Sequence, residues 1–213
     1  KTAYEIGVRL VGSEMCIRDS DAEVDILAES GASVAHCPTT ALKVAYGVTQ
    51  VGKFPEMVQK GVNVSLGTDG NNASNYSDLM RASYLAAGIF KDAREDPQMF
   101  PAEKAFEMAT IDGAKTLLMD QEIGSLEIGK KADLVLHDTD RPEWRPLLNV
   151  MNQLVWSADG RGVHTVLVDG QTVVEDGRCL TVDEEKLWSD VQQMGEAITG
   201  RSGLPDKAKF PTL

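Results

Sequence analysis

Asp69 is the residue whose type and setting say most about chemistry. It follows an alternation in which Val62, Val64 and Leu66 are spaced by Asn63 and Ser65, and it lies between Gly67-Thr68 and Gly70. A period of two reads as a β-strand, so Asp69 falls just past the strand's C-terminal end. In α/β barrels that edge carries the active site. The flanking glycines permit a sharp turn and leave the carboxylate room. Two alternatives stand beside this reading. Asp-Gly after a strand is often a plain turn, and one carboxylate makes a poor metal centre, because a catalytic zinc takes about three protein ligands and an open position. His36 ends a second short apolar run, 32–36, so it is expected to open onto the same edge as Asp69. A hydrogen bond to a neighbouring loop is its simpler role. His137 and His164 lie in a later β-rich stretch and read as partly buried structural residues. Cys37 has no motif that would make it a nucleophile and reads as a small buried residue. Trp144 and Trp156 read as packing residues, and the mixed charges of 92–96 as a solvated helix end.

The elements that must position these residues follow from the pattern. Asp21–Ser30 places Val24, Leu27 and Ala28 on one helical face, with Ser20 or Asp21 as N-cap and Gly31 as the stop. The strand at 32–36 is broken by Pro38, which donates no ladder hydrogen bond. A helix is expected at 51–60, the strand at 62–66, and helices at 76–90 and 101–110, the last with Pro in its first turn. Strand and helix in alternation with short joints argue for parallel α/β architecture. The texture changes near Met119. A short strand is expected within 123–129, then strands at 132–137, Val163–Val168 and 172–174, the last two joined at Asp169-Gly170 as a hairpin. A last helix is expected at 183–199. Leu187, Val191, Met194 and Ile198 fall on one face of it, and Thr181 with Glu184 could form a capping box.

Composition bounds the partners. The chain has 213 residues, enough for one large domain or one and a half. It is 42% hydrophobic and 25% charged, which suits a packed core. A net charge of -12 argues against nucleic acid and against anionic membranes. No apolar run approaches the ~18 residues of a membrane span. Three scattered cysteines suit neither a disulfide framework nor a zinc knuckle, and point to a reducing, cytoplasmic setting. The string VGSEMCIRDS, residues 11–20, has neither a strand nor a helix period. It resembles an in-frame translation of a sequencing-library adapter. Residues 1–20 are therefore read as a truncated, artefactual segment on which no fold argument rests.

Five ordered segments then carry a family resemblance: VAHCPTTALKVAYG, GTDGNNASN, MATIDGAKTL, IGSLEIGKKADLVLHD and VLVDGQTVVEDGR. Together they resemble the C-terminal half of a metal-dependent amidohydrolase, in the branch of methylthioadenosine/S-adenosylhomocysteine deaminases, guanine and cytosine deaminases and triazine hydrolases. The resemblance implies an α/β fold: residues 21–120 as the C-terminal portion of a (β/α)8 barrel, 121–180 as part of a small β-sandwich, and 181–213 as a helix and tail. It implies that Asp69 binds a divalent metal, zinc first and iron second, and takes a proton from the metal-bound water. A metal brings that water's pKa to about 7, and a carboxylate can relay the proton to the leaving amine. It places His36, Ser74 and Asn75 on the substrate side of the same pocket. The implied substrate is a small purine, pyrimidine or triazine-like heterocycle, and the usual assembly is a homodimer.

The same resemblance marks what is missing. The family's first-strand H-x-H pair, its fifth-strand histidine with a nearby glutamate, and its sixth-strand histidine have no counterpart in this sequence. The expectation is a fragment of an enzyme that hydrolyses non-peptide C–N bonds, itself inactive. The alternative is a non-catalytic binding or subunit module derived from an amidohydrolase, against which stand the apolar faces and strand edges that half a barrel would expose.

Overall fold

A computed structural model describes residues 11–13 and 20–203. The readings made of 1–10, 14–19 and 204–213 lie outside the described residues. Val11–Ser13 forms strand β1, in parallel with Ser33–Ala35. Three residues are too few to display a period, and the partner strand supplies the pairing. Helix α1, Asp21–Ser30, opens on a capping box in which the Ser20 hydroxyl accepts from the Glu23 amide at 3.3 Å and the Glu23 carboxylate accepts from the Ser20 amide at 2.7 Å. Gly31, at a φ of 66°, ends it.

Strand β2, Ser33–His36, leads into a short helix α2, Pro38–Lys43. Pro38 ends the ladder but suits a first helical turn, so one residue does both. The single helix expected at 51–60 is two: α3, Val48–Val51, and α4, Phe54–Gln59. Gly52 adopts extended backbone between them, and Pro55 favours a fresh start. Arg94 bridges the break, donating to the Thr49 and Gly52 carbonyls at 3.0 and 2.9 Å and to Glu56 at 3.1 Å. Arg94 is thus no solvated helix end.

Strand β3, Asn63–Leu66, pairs in parallel with β2, from Ser33 opposite Asn63 to His36 opposite Leu66, and the sheet order is β1-β2-β3. Both faces of β3 are covered. Val64 packs with Val34, Phe54, Met57, Phe90 and Met108. Ser65, on the other face, accepts from Thr116 at 3.0 Å. The small polar residues of the alternation therefore face a helix rather than water, as parallel sheets require. After α5, Asn71–Ser74, comes α6, Leu79–Arg94. It starts three residues later than expected, because the Asp78 carboxylate accepts from the Met80 and Arg81 amides and caps it there. Helices α7, Ala102–Ala109, and α8, Ile111–Thr116, follow.

Residues 123–129 form turns and bends, not the strand expected there. Gly124 has a φ of 90°, and a Cβ on it would lie 2.6 Å from that of Ala114, so this segment is laid flat against α8. Strand β4, Leu134–His137, helix α9, Val150–Trp156, and strands β5, Val163–Val168, β6, Gln171–Glu175, and β7, Arg178–Cys179, complete the second part. The four strands form one antiparallel sheet in chain order. Asp169 and Gly170, at φ 50° and 77°, make the expected tight turn. Trp156 meets Tyr84 edge-on at 5.4 Å, and Val155 is buried among Ala87, Ala102 and Ala105. Trp144 is buried beside His137, while His164 is exposed and paired with Asp176 at 2.8 Å rather than partly buried. Helix α10, Glu184–Ser202, is capped by Asp183, whose side chain accepts from the Lys186 amide, in place of the Thr181–Glu184 box. Glu184 instead accepts from the Cys179 amide at 3.2 Å. No residue of α10 is buried.

Candidate functional site

Parallel pairing in register sets the C-terminal ends of β2 and β3 side by side. The Gly67 amide donates to the His36 carbonyl at 2.9 Å, carrying the ladder one step past β3. A Cβ on Gly67 would come 2.9 Å from the Cys37 sulfur, so glycine lets the two chains leave the sheet together. The Thr40 hydroxyl donates to the Thr68 carbonyl at 3.4 Å, tying α2 to the turn. Asp69 sits at the crest of that turn with a φ of 59°, a left-handed conformation that aspartate tolerates better than most residues. Its carboxylate is exposed, and one oxygen accepts from the Gly70 amide at 2.6 Å. Asp69 thus lies just past the C-terminal end of β3, as the alternation before it indicates.

Ser74 ends α5, which follows that turn directly, and Asn75 caps it. The buried Ser74 hydroxyl donates to the Tyr76 carbonyl at 2.9 Å, and bends the chain toward α6. Asn75 is exposed, takes a φ of 69°, and accepts from Lys43 of α2. Asp69, Ser74 and Asn75 thus lie on one segment, the turn 67–70 with the short helix α5 and its cap, braced by α2. Lys43 and Thr40 were not legible as part of this edge, because nothing in the pattern indicated a helix at 38–43. His36 reaches the edge by its backbone. Its ring is fully buried, stacked on Phe54 at 4.1 Å and tilted against Phe90 at 5.7 Å.

Under the other face of the sheet lies a polar cluster. Asp112 of α8, almost fully buried, accepts from Lys104 at 2.6 Å and Lys115 at 2.9 Å. Burial alone would raise its carboxyl pKa, but the two ammonium groups outweigh it and hold the pKa below the ordinary aspartate value. Asn63 of β3 donates to the Asp112 carbonyl at 3.1 Å and to Thr116 at 2.9 Å, so this cluster fixes the strand that leads to Asp69. A surface cleft of about 550 Å³ opens at the start of α6, but Asp69 is not among the residues that line it. Its two cations are engaged internally, Arg161 with Asp159 and Arg81 over the Tyr76 ring.

No group of three or more histidine, cysteine, aspartate or glutamate side chains that could hold a metal ion occurs among the described residues. Asp69 is a single exposed carboxylate with one oxygen already bonded to its own turn. The residues present do not by themselves fit a metal centre.

Comparison with known proteins places this edge in a family. The chain is 39% identical over 186 residues to a 5-methylthioadenosine/S-adenosylhomocysteine deaminase of Thermoanaerobacter pseudethanolicus, an alignment covering 87% of this chain and 42% of the relative. It is 38% identical over 186 residues to a 5'-deoxyadenosine deaminase of Methanosarcina mazei, with the same coverage of 87% and 42%. The chain thus spans about two-fifths of the length of these relatives. Among solved structures, an adenosine deaminase from Xanthomonas campestris with bound zinc superposes with a TM-score of 0.82 and 31% identity, over 90% of this chain and 43% of that one. A zinc complex of atrazine chlorohydrolase from Arthrobacter aurescens shares the fold, with a TM-score of 0.77, 22% identity and coverage of 87% and 40%. The profile of the Amidohydrolase family matches residues 2–173, most of the chain, and with these relatives it establishes that the chain belongs to the amidohydrolase family.

Proposed function

We propose that the whole protein hydrolyses a non-peptide C–N bond, removing the amino group of an adenosine-like heterocycle. The observation that carries this reading is Asp69 on the exposed C-terminal edge of a parallel strand, in a chain 39% identical to a methylthioadenosine/S-adenosylhomocysteine deaminase. The three-stranded parallel sheet with helices on both faces is read as part of a (β/α)8 barrel, and the antiparallel sheet as part of a β-sandwich. Both readings rest on strand direction and on the likeness to the adenosine deaminase structure.

Within this reading Asp69 is the residue that the chain brings to the reacting centre, as an acceptor of a proton and a ligand to a divalent cation. Zinc is the cation favoured, because the structural relative at 31% identity holds it. Since the described residues do not assemble a centre alone, the other ligands are proposed to lie outside the described residues. Asn75 and Ser74 are proposed to shape the substrate side of the pocket, and His36 to act at its margin, where its carbonyl already holds Gly67. A reducing, cytoplasmic setting accords with three scattered cysteines. No helix among the described residues is long and apolar enough to cross a membrane.

The test uses the full-length parent enzyme. Ammonia release from 5'-methylthioadenosine and adenosine is expected, and Asp69→Asn should lower kcat by at least ~10³-fold, because an amide neither accepts the proton nor carries the charge. Asn75→Ala should act mainly on KM. A parent with Asp69→Asn that keeps full turnover would overturn the assignment.

A further inference from the structure

Cys37 belongs to no motif that would make it a nucleophile, yet its place is tightly specified. It joins β2 to α2 and stands between His36 and Pro38, both fully buried, so its backbone has no room to retreat. Its sulfur faces Gly67. A Cβ on Gly67 would lie 2.9 Å from that sulfur, and among the described residues no other heavy atom beyond the chain neighbours comes within 4 Å of it. Gly67 does not adopt a left-handed φ, so its backbone would accept alanine. Space alone requires glycine here, and the sulfur alone takes that space. Gly67 is also the residue whose amide donates to the His36 carbonyl at 2.9 Å. The hydrogen bond draws the exits of β2 and β3 together, and the sulfur stops their approach.

We infer that Cys37 is a positioning residue for Asp69, its sulfur the stop on which the turn two residues before the carboxylate is seated. The inference rests on the deaminase reading of Asp69 and deepens it. Thr40 and Lys43 extend the same support. Cys37, Thr40 and Lys43 are spaced by three, one face of a helical segment, and they meet Gly67, the Thr68 carbonyl and Asn75 in turn. Ordinary contact begins near 3.4 Å, so a methyl group on Gly67 would have to push turn and sulfur apart by about half an ångström. A carboxylate that must meet both a proton and a cation tolerates little displacement of that kind.

The experiment is a double-substitution cycle read in two ways. In the 213-residue chain, Gly67→Ala should lower the melting midpoint, and adding Cys37→Ala should recover most of the loss. In the full-length parent, Gly67→Ala should lower kcat about 10–100-fold with KM within about twofold, because the carboxylate moves while the substrate surface stays. Cys37→Ala alone should lower kcat about 3–10-fold, since the stop is lost. The double variant should return kcat to within about threefold of the unsubstituted parent, because the new methyl fills the space the sulfur left. If Gly67→Ala alone does not fold, the double variant is compared with Cys37→Ala: it should turn over faster, and a slower one overturns the inference. A melting loss with kcat unmoved makes the contact structural only and overturns it. So does a kcat loss that the double variant fails to recover, since Gly67 would then serve something other than the sulfur. A parent that releases no ammonia before any substitution overturns the deaminase reading, and this inference with it. In a parent that does release ammonia, failure of the cycle falls on Cys37 alone.

Discussion

Asp69 is the residue proposed to carry the chemistry, but its position is set by side chains that never reach it. Asp112 is the clearest of these. Its carboxylate holds Lys104 and Lys115, and its carbonyl receives Asn63 from the strand that ends near Asp69. Asp112→Asn should remove two charge-assisted bonds from a buried group and cost about 2–3 kcal/mol. For a chain of this size that lowers the melting midpoint by roughly 5–10 °C, measurable by calorimetry. The pH dependence has a definite sign. The folded pKa lies below the ordinary value of 3.8, so this stabilisation is complete above that value. It is lost as pH falls through the folded pKa. Asp112→Asn should accordingly flatten part of the acid limb of the stability curve. An unchanged acid limb would mean that the lysines lend the carboxylate nothing. The MATIDGAKTL segment indicated a family, but the pairing within it was not legible, because Lys104 lies outside the segment and is brought in by the turn between α7 and α8.

At the scale of elements, legibility followed the length over which a pattern could repeat. Helix α1 was readable from Ser20 to Gly31 because both of its caps are local. Strands β2 and β3 were readable from their apolar runs and the hairpin β5–β6 from Asp169-Gly170, each within a residue or two. What could not be read depended on contacts distant in sequence. The α3–α4 break is sealed by Arg94, more than forty residues away, and β1 exists only through its pairing with β2. The 123–129 segment failed for a different reason: its apolar residues alternate, but Leu126 and Ile128 have no neighbouring strand and remain exposed. The joint between β4 and the turn at Pro142–Trp144 gives a further test. His137 packs against Trp144 at 5.8 Å, and burial depresses its pKa below the usual 6.5. The unfolded chain therefore takes up this proton more readily. The joint is fully stable above that value and weakens as pH falls through it. Melting curves between about pH 7.5 and 5.5 should show this loss, and His137→Gln should remove part of it. A His137→Gln chain with an unaltered pH dependence would assign the loss to other groups.

Taken whole, the described residues hold a core but no group of three or more side chains that could hold a metal ion. Phe54, Met57, Phe90 and Met108 are fully buried, and the parallel sheet is covered on both faces. Among the described residues the antiparallel sheet has less cover: Val135, Leu136 and Val168 are each about half exposed. Titration of the purified chain with zinc should accordingly yield binding no tighter than roughly micromolar, because one exposed carboxylate supplies too few ligands. Stoichiometric zinc by elemental analysis would contradict the ligand inventory. The two sheets differ in one more respect, and it is a matter of time. Strands β5 and β6 meet across two residues, whereas Ser33 and Asn63, which pair in the parallel sheet, stand 30 positions apart. A hairpin closes in about 1–10 µs, while distant parallel pairing must first overcome the entropy of a long loop. Refolding should therefore protect the amides of Val163–Val168 and Gln171–Glu175 before those of Ser33–His36 and Asn63–Leu66. Pulsed hydrogen exchange would resolve that order. The strand that leads to Asp69 would be among the last to settle, after the antiparallel sheet has formed.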